Sequence, residues 1–510
     1  MCSSDLCTFA HDWKQTAVIQ ELDFDHGKVA LLMGTKRGAP PDRLSIAPDE
    51  KTLGKSLAEA VERVVNRWRE RGDLPADLSD FLSRRRPRLM GNLEGPILKS
   101  DINIVDSALH AVLSMRSTTL CVQGPPGCGK TYVGAHVIAG LLKAGKRVGI
   151  ASNSHRAINL LLAGASECAR KQGLHPDAAK CGDESHMEGL PDDVIWYKNG
   201  KDLFQQERLP QLIGGTVFAF SCEAAESRLD YLFVDEAGQV SVANLVAMGP
   251  CAKNIVLLGD QMQLGQPIQG SHPGESGLSA LEYLLQGQAA VPDDFGIFLP
   301  RTWRLHPDIC RFISGAVYED RLDCQPHTVH RELVGEMPEW LHRPAGLVYV
   351  PVEHEGNVYE SALEADRIAG LVVDLLRASV RSTTGAVRRL TADDILIVAP
   401  YNLQVRRLER RLPSIRVGSV DKFQGQEAAV VIFSMGASTG DSSPRGVEFL
   451  FNRNRLNVAI SRAETLAIVV GNPALVRTNC TTIEQMRLVN VYCRAVQEGA
   501  PVSEVVKVGV

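Results

Sequence analysis

The sequence predicts an α/β protein in which parallel sheets are covered by helices on both faces. From about residue 92 onward, apolar runs of strand length alternate with amphipathic stretches of helix length. The alternation restarts near residue 290, which indicates a second α/β domain of similar size. A glycine-rich turn at 124–131 separates one of the strands from the helix that follows it. Because parallel strands need helical crossovers, these observations together define the fold class.

Composition limits the functions that the chain can have. With 510 residues, 44% of them hydrophobic and 23% charged, it reads as a globular protein of several domains. The net charge of −5 means that any nucleic-acid site would have to be a local basic groove. The 12 cysteines include no C-x-x-C pair, so zinc spacing is absent and a disulfide framework is disfavoured. We find no signal peptide and no apolar run that could span a membrane, and expect a cytoplasmic protein without a membrane partner.

Residues 1–91 are predicted to form a small α+β accessory segment. Residues 29–33 and 43–46 have strand patterns, and 57–71 carries one apolar stripe at helical spacing. The stretch DFLSRRRPRLMG then contains a short run of arginines at 84, 85, 86 and 88. Two interpretations of this run stay open, a solvated linker and a stalk that contacts phosphates.

The two α/β domains are expected at 92–289 and 290–480, followed by a tail at 481–510 that begins as a helix. In the first domain we predict strands at 119–123, 147–152, 216–220, 231–234 and 255–258, helices at 132–143, 156–169 and 278–285, and a polar insertion at 171–210. In the second we predict strands at 347–350, 395–398, 417–419, 430–433 and 466–470, and helices at 306–315, 360–380 and 403–412.

The turn GPPGCGKT is the strongest single motif and matches G-x-x-x-x-G-K-[ST] completely. Its glycines allow backbone N–H groups to converge on one concavity, and the helix that follows favours anions at its N-terminus. The turn therefore predicts a cradle for the phosphates of a nucleoside triphosphate, in which Lys130 reaches the β- and γ-phosphates and Thr131 binds Mg²⁺. The predicted cradle consists of Gly124, Pro125, Pro126, Gly127, Cys128, Gly129, Lys130 and Thr131.

Two carboxylates follow a later apolar strand in YLFVDEAGQ. Hydrolysis of a nucleotide needs one acid for the hydrated Mg²⁺ and one to polarise the attacking water. Asp235 suits the first role and Glu236 the second. Ligands of open α/β sheets bind beyond the carboxyl ends of the strands, which is where this pair falls.

Three further polar side chains can sense or neutralise the γ-phosphate. Gln263, in IVLLGDQMQLGQP, follows another strand, although without further context a solvated loop glutamine is the favoured explanation. Arg304 opens the second domain in LPRTWRLHP, and Arg462 follows a helix-like stretch in RLNVAISRAE. Arginine is the side chain best suited to neutralise the charge of a transferring phosphoryl group.

The ordered set GPPGCGKT, VDEAGQ, GDQMQL, WRLHP, SVDKFQGQE and RLNVAISRA resembles the superfamily 1 helicases over residues 124–462. It looks most like the branch of the nonsense-mediated-decay helicase and nuclease-linked helicases. The segment before the first domain resembles the region preceding the helicase part of bacterial fusions with a RecB-like nuclease. No nuclease carboxylate-and-lysine cluster is found here, so we expect a nuclease as a partner or a fused neighbour.

The resemblance implies two RecA-like domains with ATP and Mg²⁺ bound between them. It gives catalytic or phosphate-sensing roles to Lys130, Glu236, Gln263, Arg304 and Arg462, and metal binding to Thr131 and Asp235. Trp303 would stack on adenine, and Glu427, with Gln424 and Gly425 nearby, would hold the ribose. Nucleic acid would cross the tops of both domains and touch Ser152, Asn153, Ser221 and Ser419.

The sequence departs from the family pattern in four places. The glutamine that reads adenine upstream of the phosphate loop is missing, and Asp106 or Ser107 stands near its place. Trp303 stands where tyrosine is usual and Cys128 where threonine is common. The insertion at 171–210 is short, which predicts a reduced accessory domain.

These observations predict an ATP-dependent 5′-to-3′ helicase or translocase on single-stranded nucleic acid, with DNA favoured. The direction comes from the resemblance. Three alternatives stay open: an RNA helicase of the same fold, an ATP-gated clamp on nucleic acid that does not unwind, and an unrelated P-loop ATPase. Strand displacement distinguishes the helicase from the clamp.

Overall fold

The computed structural model describes residues 6–9, 12–23, 28–34, 45–48, 54–91, 95–99, 101–266, 272–423, 425–441 and 445–500. The chain divides into two compact units, Met1–Asp73 and Leu74–Val510. Among the described residues, no helix is both long enough and apolar enough to cross a membrane.

Among its described residues, the first unit contains one antiparallel sheet of order β3-β2-β1-β4 and one helix. Its elements are β1 (Leu6–Phe9), β2 (Asp12–Asp23), β3 (Lys28–Leu32), β4 (Ile46–Pro48) and α1 (Lys55–Arg71). Buried Cys7, Phe9 and Ala17 form the centre of its small core. The predicted α+β class and the helix are confirmed. The predicted apolar stripe of α1 is only partly covered, because Val65 and Trp68 are exposed.

The second unit begins with the elements of a large parallel sheet of order β12-β5-β11-β10-β6-β9-β7-β8. Its strands are β5 (Thr119–Gln123), β6 (Val148–Ala151), β7 (Ala178–Cys181), β8 (Ile195–Tyr197), β9 (Leu212–Gly215), β10 (Leu229–Val234), β11 (Ala252–Gly259) and β12 (Gly296–Phe298). The helices are α2 (Ala76–Leu82), α3 (Ile104–Leu113), α4 (Lys130–Lys143), α5 (His155–Lys171), α6 (Gly200–Phe204), α7 (Val217–Phe220), α8 (Val242–Met248) and α9 (Ala280–Leu285).

A second parallel sheet of order β16-β22-β21-β19-β20 follows. Two small sheets, β13-β14 and β15-β17-β18, are formed by the same later part of the chain. The strands are β13 (Arg301–Thr302), β14 (Asp323–Cys324), β15 (Glu332–Val334), β16 (Gly346–Pro351), β17 (Ser379–Arg381), β18 (Val387–Arg389), β19 (Ile395–Ala399), β20 (Arg416–Ser419), β21 (Ala428–Ser434) and β22 (Ala463–Gly471). The helices are α10 (Pro307–Val317), α11 (Ala362–Leu375), α12 (Asn402–Arg411), α13 (Val447–Leu450), α14 (Arg453–Ile460) and α15 (Ile483–Gly499).

Both large sheets confirm the predicted α/β class. Every residue of β5 and β21 is buried, as expected where helices cover both faces of a parallel sheet. The core of the second sheet centres on residues such as Val348, Ile368 and Ile432. The register aligns the carboxyl ends of neighbouring strands, with Gly259 opposite Gln123 and Val234 opposite Leu257. The loops that leave these ends therefore lie side by side.

Two predicted elements differ from the structure, and the predicted insertion contains strands that the sequence analysis did not assign. The apolar run at 216–220 is one helical turn, α7, and the strand ends just before it at Gly215. A short apolar run fits either structure, so its pattern could not decide. The helix predicted at 360–380 ends at Leu375 and gives way to β17. The insertion at 171–210 adds β7 and β8 to the edge of the large sheet.

The arginine run at 84–88 makes contacts within the second unit. Arg84 lies 3.9 Å over the ring of Tyr283 and pairs with Glu275 at 2.6 Å. Arg86 pairs with Asp294 at 3.2 Å, and Arg88 pairs with Asp80 at 3.0 Å. These partners favour a structural role for the run over contact with phosphates.

Candidate active site

The loop 124–129 leaves β5 and leads directly into α4, in the context that the motif predicts. Gly127 and Gly129 have φ angles of 75° and 74°, which favour glycine. A Cβ on Gly127 would lie 2.5 Å from the Cβ of Arg304 and 2.6 Å from Oγ1 of Thr302. The hydroxyl of Thr302 donates to the Pro126 carbonyl at 2.9 Å, and the N–H of Trp303 donates to the Gly127 carbonyl at 2.9 Å. The chain that enters the second α/β part therefore holds the phosphate loop directly.

Lys130 forms the centre of a buried charge cluster. Its Nζ lies 2.9 Å from a carboxylate oxygen of Glu236 and 3.4 Å from one of Asp235. Burial acts to lower the pKa of Lys130, but the charges of Glu236 and Asp235 outweigh it and the pKa is raised. Burial opposes ionisation of Glu236 as well, yet the Lys130 charge and hydrogen bond bring the pKa of Glu236 below its ordinary value. Lys130 and Glu236 are thus both charged at neutral pH.

The pKa of Asp235 is shifted in the opposite direction from that of Glu236. Burial raises the pKa of the Asp235 carboxyl, and the charge of Lys130 offsets only part of that effect. A second cation beside this carboxylate would favour its ionised form. Glu236 sits in the left-handed region with a φ of 54°, and its N–H donates to Asp235 at 2.9 Å. The two acids are therefore held in adjacent but distinct environments.

The loop that follows β11 carries Gln263 and a buried acid that the sequence analysis did not assign. Asp260 is 3% exposed and accepts hydrogen bonds from Gln263 at 3.0 Å, Gln123 at 3.3 Å and the hydroxyl of Tyr318 at 2.6 Å. Burial raises its pKa, and these hydrogen bonds act in the opposite direction. The loop is thus tied to both the phosphate-loop strand and α10.

Helix α14, which precedes β22 of the second sheet, holds the same loop by hydrogen bonds. Asn454 donates to the carbonyls of Gln261 and Gln263 at 3.0 and 2.7 Å. Asn457 donates to the Met262 carbonyl at 2.7 Å and to the Tyr318 hydroxyl at 2.9 Å. Asn457 lies in the motif RLNVAISRAE but the sequence analysis gave it no role, and Tyr318 gave no sequence signal at all. The motif GDQMQL did contain Asp260, whose place directly after a strand could have marked it.

Two arginines reach the cleft from the second sheet's side. Arg462 is 3% exposed, and it donates to Gln263 Oε1 at 3.3 Å and to the Gln426 carbonyl at 3.2 Å. Its Nε is buried with no hydrogen-bond partner among the described residues. Burial, and next the charge of Arg304, lower its pKa to about 10, so it stays cationic at neutral pH. Arg304 pairs through Nε with Glu427 at 2.6 Å.

One cavity of 610 Å³ brings these groups together. Its lining includes every residue predicted for the nucleotide: 124–131, Asp235, Glu236, Gln263, Trp303, Arg304, Glu427 and Arg462. It also includes Gln239, Arg331 and Glu464, which sequence reasoning missed. Arg331 pairs with Glu464 at 2.5 Å, and its Nε is a further buried donor with no partner in the described part of the chain. Gln424 lies outside the described residues.

The residues predicted to contact the adenine base and the ribose are either largely exposed or paired with another side chain. Trp303 is 55% exposed, with its ring centroid 5.7 Å from that of His327. Glu427 faces Arg304 rather than standing alone. Asp106 and Ser107 are not among the residues that line the cavity, and Ser107 accepts the N–H of Lys99 at 2.7 Å.

The four residues expected to touch nucleic acid lie outside the cavity lining. Ser152 and Asn153 follow the carboxyl end of β6, and Ser419 is the last residue of β20. Ser221 is buried and follows α7 rather than a strand. Asn153 donates to the Gln239 carbonyl at 2.6 Å, which connects this edge of the sheet to a cavity residue.

The arrangement fits a triphosphate and a divalent cation. Gly124 and Gly127 have no room for a side chain, and Arg462 and Arg331 each have a buried N–H that finds no partner among the described residues. Unpaired buried donors are costly, and anionic phosphate oxygens would satisfy them. Thr131 and Asp235 supply the hydroxyl and carboxylate oxygens that Mg²⁺ prefers.

Comparison with known families first defines the class. Two family models, each described as an AAA domain, match residues 106–275 and 278–474. The two matches correspond to the two parallel sheets. Together with the phosphate loop and the acid pair, they identify an ATP-hydrolysing enzyme.

Proteins of similar sequence indicate which kind of ATP-hydrolysing enzyme this chain resembles. The chain is 27% identical over 496 residues to the human RNA helicase Mov10l1, covering 85% of this chain and 40% of that protein. It is 28% identical over 431 residues to the DNA replication ATP-dependent helicase/nuclease DNA2 of Xenopus laevis, with 74% and 38% coverage. A regulator of nonsense transcripts 1 homolog of Arabidopsis thaliana is 28% identical over 420 residues, with 73% and 32% coverage. The chain spans less than half the length of these relatives.

Among solved structures, a crystal structure of arterivirus nonstructural protein 10, a helicase, covers 92% of this chain and 73% of its own, at 14% identity and a TM-score of 0.41. The AAA matches and the helicase relatives place this chain in the superfamily 1 helicases, which confirms the predicted class. The likeness to a bacterial RecB-like fusion finds no counterpart in these comparisons.

Proposed function

We propose that this chain hydrolyses ATP with Mg²⁺ and uses the cycle to move along, and to unwind, nucleic acid from a single-stranded segment in the 5′-to-3′ direction. The observation that carries the proposal is the shared cavity. The phosphate loop and acid pair of the first sheet face Arg304 and Arg462 of the second part across one space of 610 Å³. A site composed in this way responds to its ligand by changing how the two parts are held together.

The proposed roles follow from the contacts. Lys130 leaves Glu236 for the phosphates when the nucleotide enters, which releases the Glu236 carboxylate to orient the attacking water. Asp235 and Thr131 hold Mg²⁺, which neutralises phosphate charge when it is bound. Arg462 and Arg304 stabilise the charge that develops on the transferring phosphoryl group. Gln263, which already contacts Arg462, reports the γ-phosphate to the second part.

The domain assignment is part of the proposal. Residues 92–289 and 290–480 would act as the two RecA-like domains, with 1–91 as an accessory segment and 481–510 as a tail. The strand would cross Ser152, Asn153, Ser221 and Ser419. These positions, at or near the carboxyl edges of the two sheets, support that path.

DNA is the favoured substrate, and RNA is the second candidate. The name of the Xenopus relative, a DNA replication helicase/nuclease, supports DNA and a nuclease as partner or fused neighbour. The name of the human relative, an RNA helicase, supports RNA. A protein that distinguishes the two must contact the 2′-hydroxyl, so the substrate is a question for direct measurement.

The experiment measures ATP turnover with single-stranded DNA, single-stranded RNA and blunt duplex, side by side at one salt concentration. We expect stimulation by single strands and more by DNA than by RNA. Displacement of a labelled strand from duplexes with a 5′ or a 3′ overhang then tests unwinding and direction. Stimulation without displacement from either duplex would contradict unwinding and favour an ATP-gated clamp.

Arg462→Ala is the matched variant for the two-part site. Because Arg462 comes from the second sheet, its loss should lower turnover by about 10²- to 10³-fold, the cost of removing one group that stabilises the transition state. Turnover equal to wild type would mean that the first sheet's part hydrolyses ATP alone, and would refute the shared cavity as the active site.

A further inference from the structure

Outside the cavity lining, a cluster of aromatic and basic side chains lies at the carboxyl edge of the second sheet. Its members, here called the aromatic–basic cluster, are Tyr359, Tyr401, Arg445, Phe449 and Arg455. The rings of Tyr359 and Tyr401 meet edge to face with centroids 5.5 Å apart, and those of Tyr401 and Phe449 are 5.4 Å apart. The three rings thus form one continuous aromatic row.

The register of the sheet fixes the place of this row. Tyr401 follows β19 by two residues, and the last residue of β19, Ala399, pairs with Ser419 of β20. The cluster therefore lies on the same sheet edge as Ser419, the residue expected to touch a nucleic-acid backbone. Tyr401 is buried, while Tyr359 is 41% exposed. The buried ring of Tyr401 therefore packs between the other two rings, and the ring of Tyr359 is accessible to solvent.

Two arginines concentrate positive charge at the other end of the row. The guanidinium carbon of Arg455 lies 3.9 Å from the ring centroid of Phe449, and that of Arg445 lies 4.2 Å from the same centroid. In the described part of the chain neither guanidinium has a carboxylate partner within ion-pair distance, although most arginines of this chain with a defined contact do. Burial lowers the pKa of Arg455, the charge of Arg445 lowers it further, and the charge of Asp421 acts in the opposite direction. Both guanidiniums therefore lie against the ring of Phe449.

We propose that the aromatic–basic cluster is a binding site for single-stranded nucleic acid, in which one base stacks on Tyr359 and backbone phosphates contact Arg445 and Arg455. This inference rests on the proposed function and adds to it the residues that grip the strand on the second domain. The row has an exposed ring at one end and, at the other, two cations with no ion-pair partner among the described residues. These features match the two requirements of single-strand binding, a stacking surface and a phosphate-neutralising surface. Every base has a π-face, so the grip tolerates any sequence, as a translocating enzyme requires.

The test measures equilibrium binding of fluorescein-labelled oligo(dT) by fluorescence anisotropy, with wild type and variants, over a series of salt concentrations. Tyr359→Ala should weaken binding by about 5- to 100-fold, the range for loss of one base–aromatic stack. Tyr359→Phe keeps the ring and should bind within about twofold of wild type. Arg445→Ala should reduce the slope of log affinity against log salt by about 0.7, the value for one phosphate contact on a single strand.

Arg377→Ala is the matched control for charge. Arg377 is an exposed arginine just beyond the end of α11, near Asp374, and its loss removes one positive charge away from the cluster. Its affinity and salt slope should equal those of wild type. Thermal melting of each variant checks that it folds, and the comparison of Arg445→Ala with Arg377→Ala keeps the inference testable if Tyr359→Ala is unstable.

Three results would overturn the inference, and they are distinguishable. If wild type binds oligo(dT) and both Tyr359→Ala and Arg445→Ala bind it equally well with an unchanged salt slope, the cluster only closes the edge of the sheet. If wild type itself does not bind single strands, the proposed function fails together with the inference. Equal loss in Tyr359→Phe and Tyr359→Ala would also contradict stacking, because the ring would not be what the strand contacts.

Discussion

The hydroxyl of Tyr318 joins the two parts of the active site, and its removal gives the sharpest test of that connection. Tyr318, just after α10, is fully buried; it donates to Asp260 at 2.6 Å and accepts from Asn457 at 2.9 Å. Tyr318→Phe removes both hydrogen bonds and leaves the ring in place. Asp260 keeps Gln123 and Gln263 as donors, so no buried group loses every partner.

The magnitude follows from the two bonds. A hydrogen bond to a charged group contributes ~1.5–3 kcal/mol and a neutral one ~0.5–1.5 kcal/mol. Because Asp260 keeps other donors, we expect the free energy of unfolding to fall by ~2–3 kcal/mol. The same bonds hold the loop of Gln263 against α14, so part of this loss should appear as weaker binding of ATP. A loss of ~1 kcal/mol there corresponds to an increase in KM of about fivefold.

The assay combines urea unfolding with the KM for ATP in nucleic-acid-stimulated turnover. Tyr349→Phe is the matched control, because the Tyr349 hydroxyl donates to the Gly471 carbonyl at 2.9 Å and its other hydroxyl contact, with Tyr492 of α15, also involves no residue of the cavity lining. That variant should lose ~1 kcal/mol of stability with no change in KM. An unchanged KM in Tyr318→Phe, or an equal change in both variants, would refute the view that Tyr318 couples the two parts.

Three further variants test the charge cluster and the core of the second domain. Lys130→Ala should abolish measurable ATP turnover, because it removes the cation that faces the phosphates; steady-state phosphate release checks this, and turnover near the wild-type rate would contradict the role. Glu236→Gln should slow hydrolysis by about 10²- to 10⁴-fold and leave ATP and nucleic acid bound together, which filter binding measures; wild-type hydrolysis would exclude Glu236 as the residue that orients water. Glu364→Gln should lower the free energy of unfolding by ~1–3 kcal/mol, because both oxygens of the fully buried carboxylate are in use and an amide keeps only one acceptor oxygen: Oε2 accepts from Ser434 at 2.6 Å and from the Gly436 N–H at 2.9 Å, and Oε1 lies 3.0 Å from His354 Nε2. Urea midpoints give the last value, and a change below the error of the midpoint would show that the network repacks.

Local chemistry made the first half of the site predictable from the sequence. The phosphate loop needs glycines, a lysine and a threonine in a fixed order, and it follows an apolar strand, so the motif carries both its chemistry and its place. The same holds for Asp235 and Glu236, which follow β10 directly. Parallel strands bring such loops to one edge, and for this reason residues more than a hundred positions apart could be predicted to meet.

The remaining features depend on contacts that no local pattern contains. The run at 217–220 is apolar in a strand or a helix alike, and only its position after β9 made it helical. The arginine run at 84–88 allowed two interpretations, because the acidic partners of Arg84 and Arg86, Glu275 and Asp294, lie about two hundred residues away in the sequence. Tyr318 looked like an ordinary core aromatic, because its hydroxyl partners come from β11's loop and α14.

The ion pairs within the cavity suggest how the binding of ATP is coupled to movement of the second sheet relative to the first. Lys130 is held by Glu236 and Asp235, and Arg304 is held by Glu427, so two cations that would face phosphates each have a carboxylate partner in the protein. A triphosphate must replace these partners, and every exchange releases a carboxylate for another role: Glu236 for water and Glu427 for the ribose. Breaking these ion pairs costs free energy and so weakens the binding of ATP. In return, Glu236 and Glu427 become available for their new roles only when Lys130 and Arg304 both contact the nucleotide. In the proposed mechanism, hydrolysis is therefore restricted to the arrangement in which Lys130 and Arg304 contact the same ligand, which is the condition for coupling turnover to movement between the two sheets.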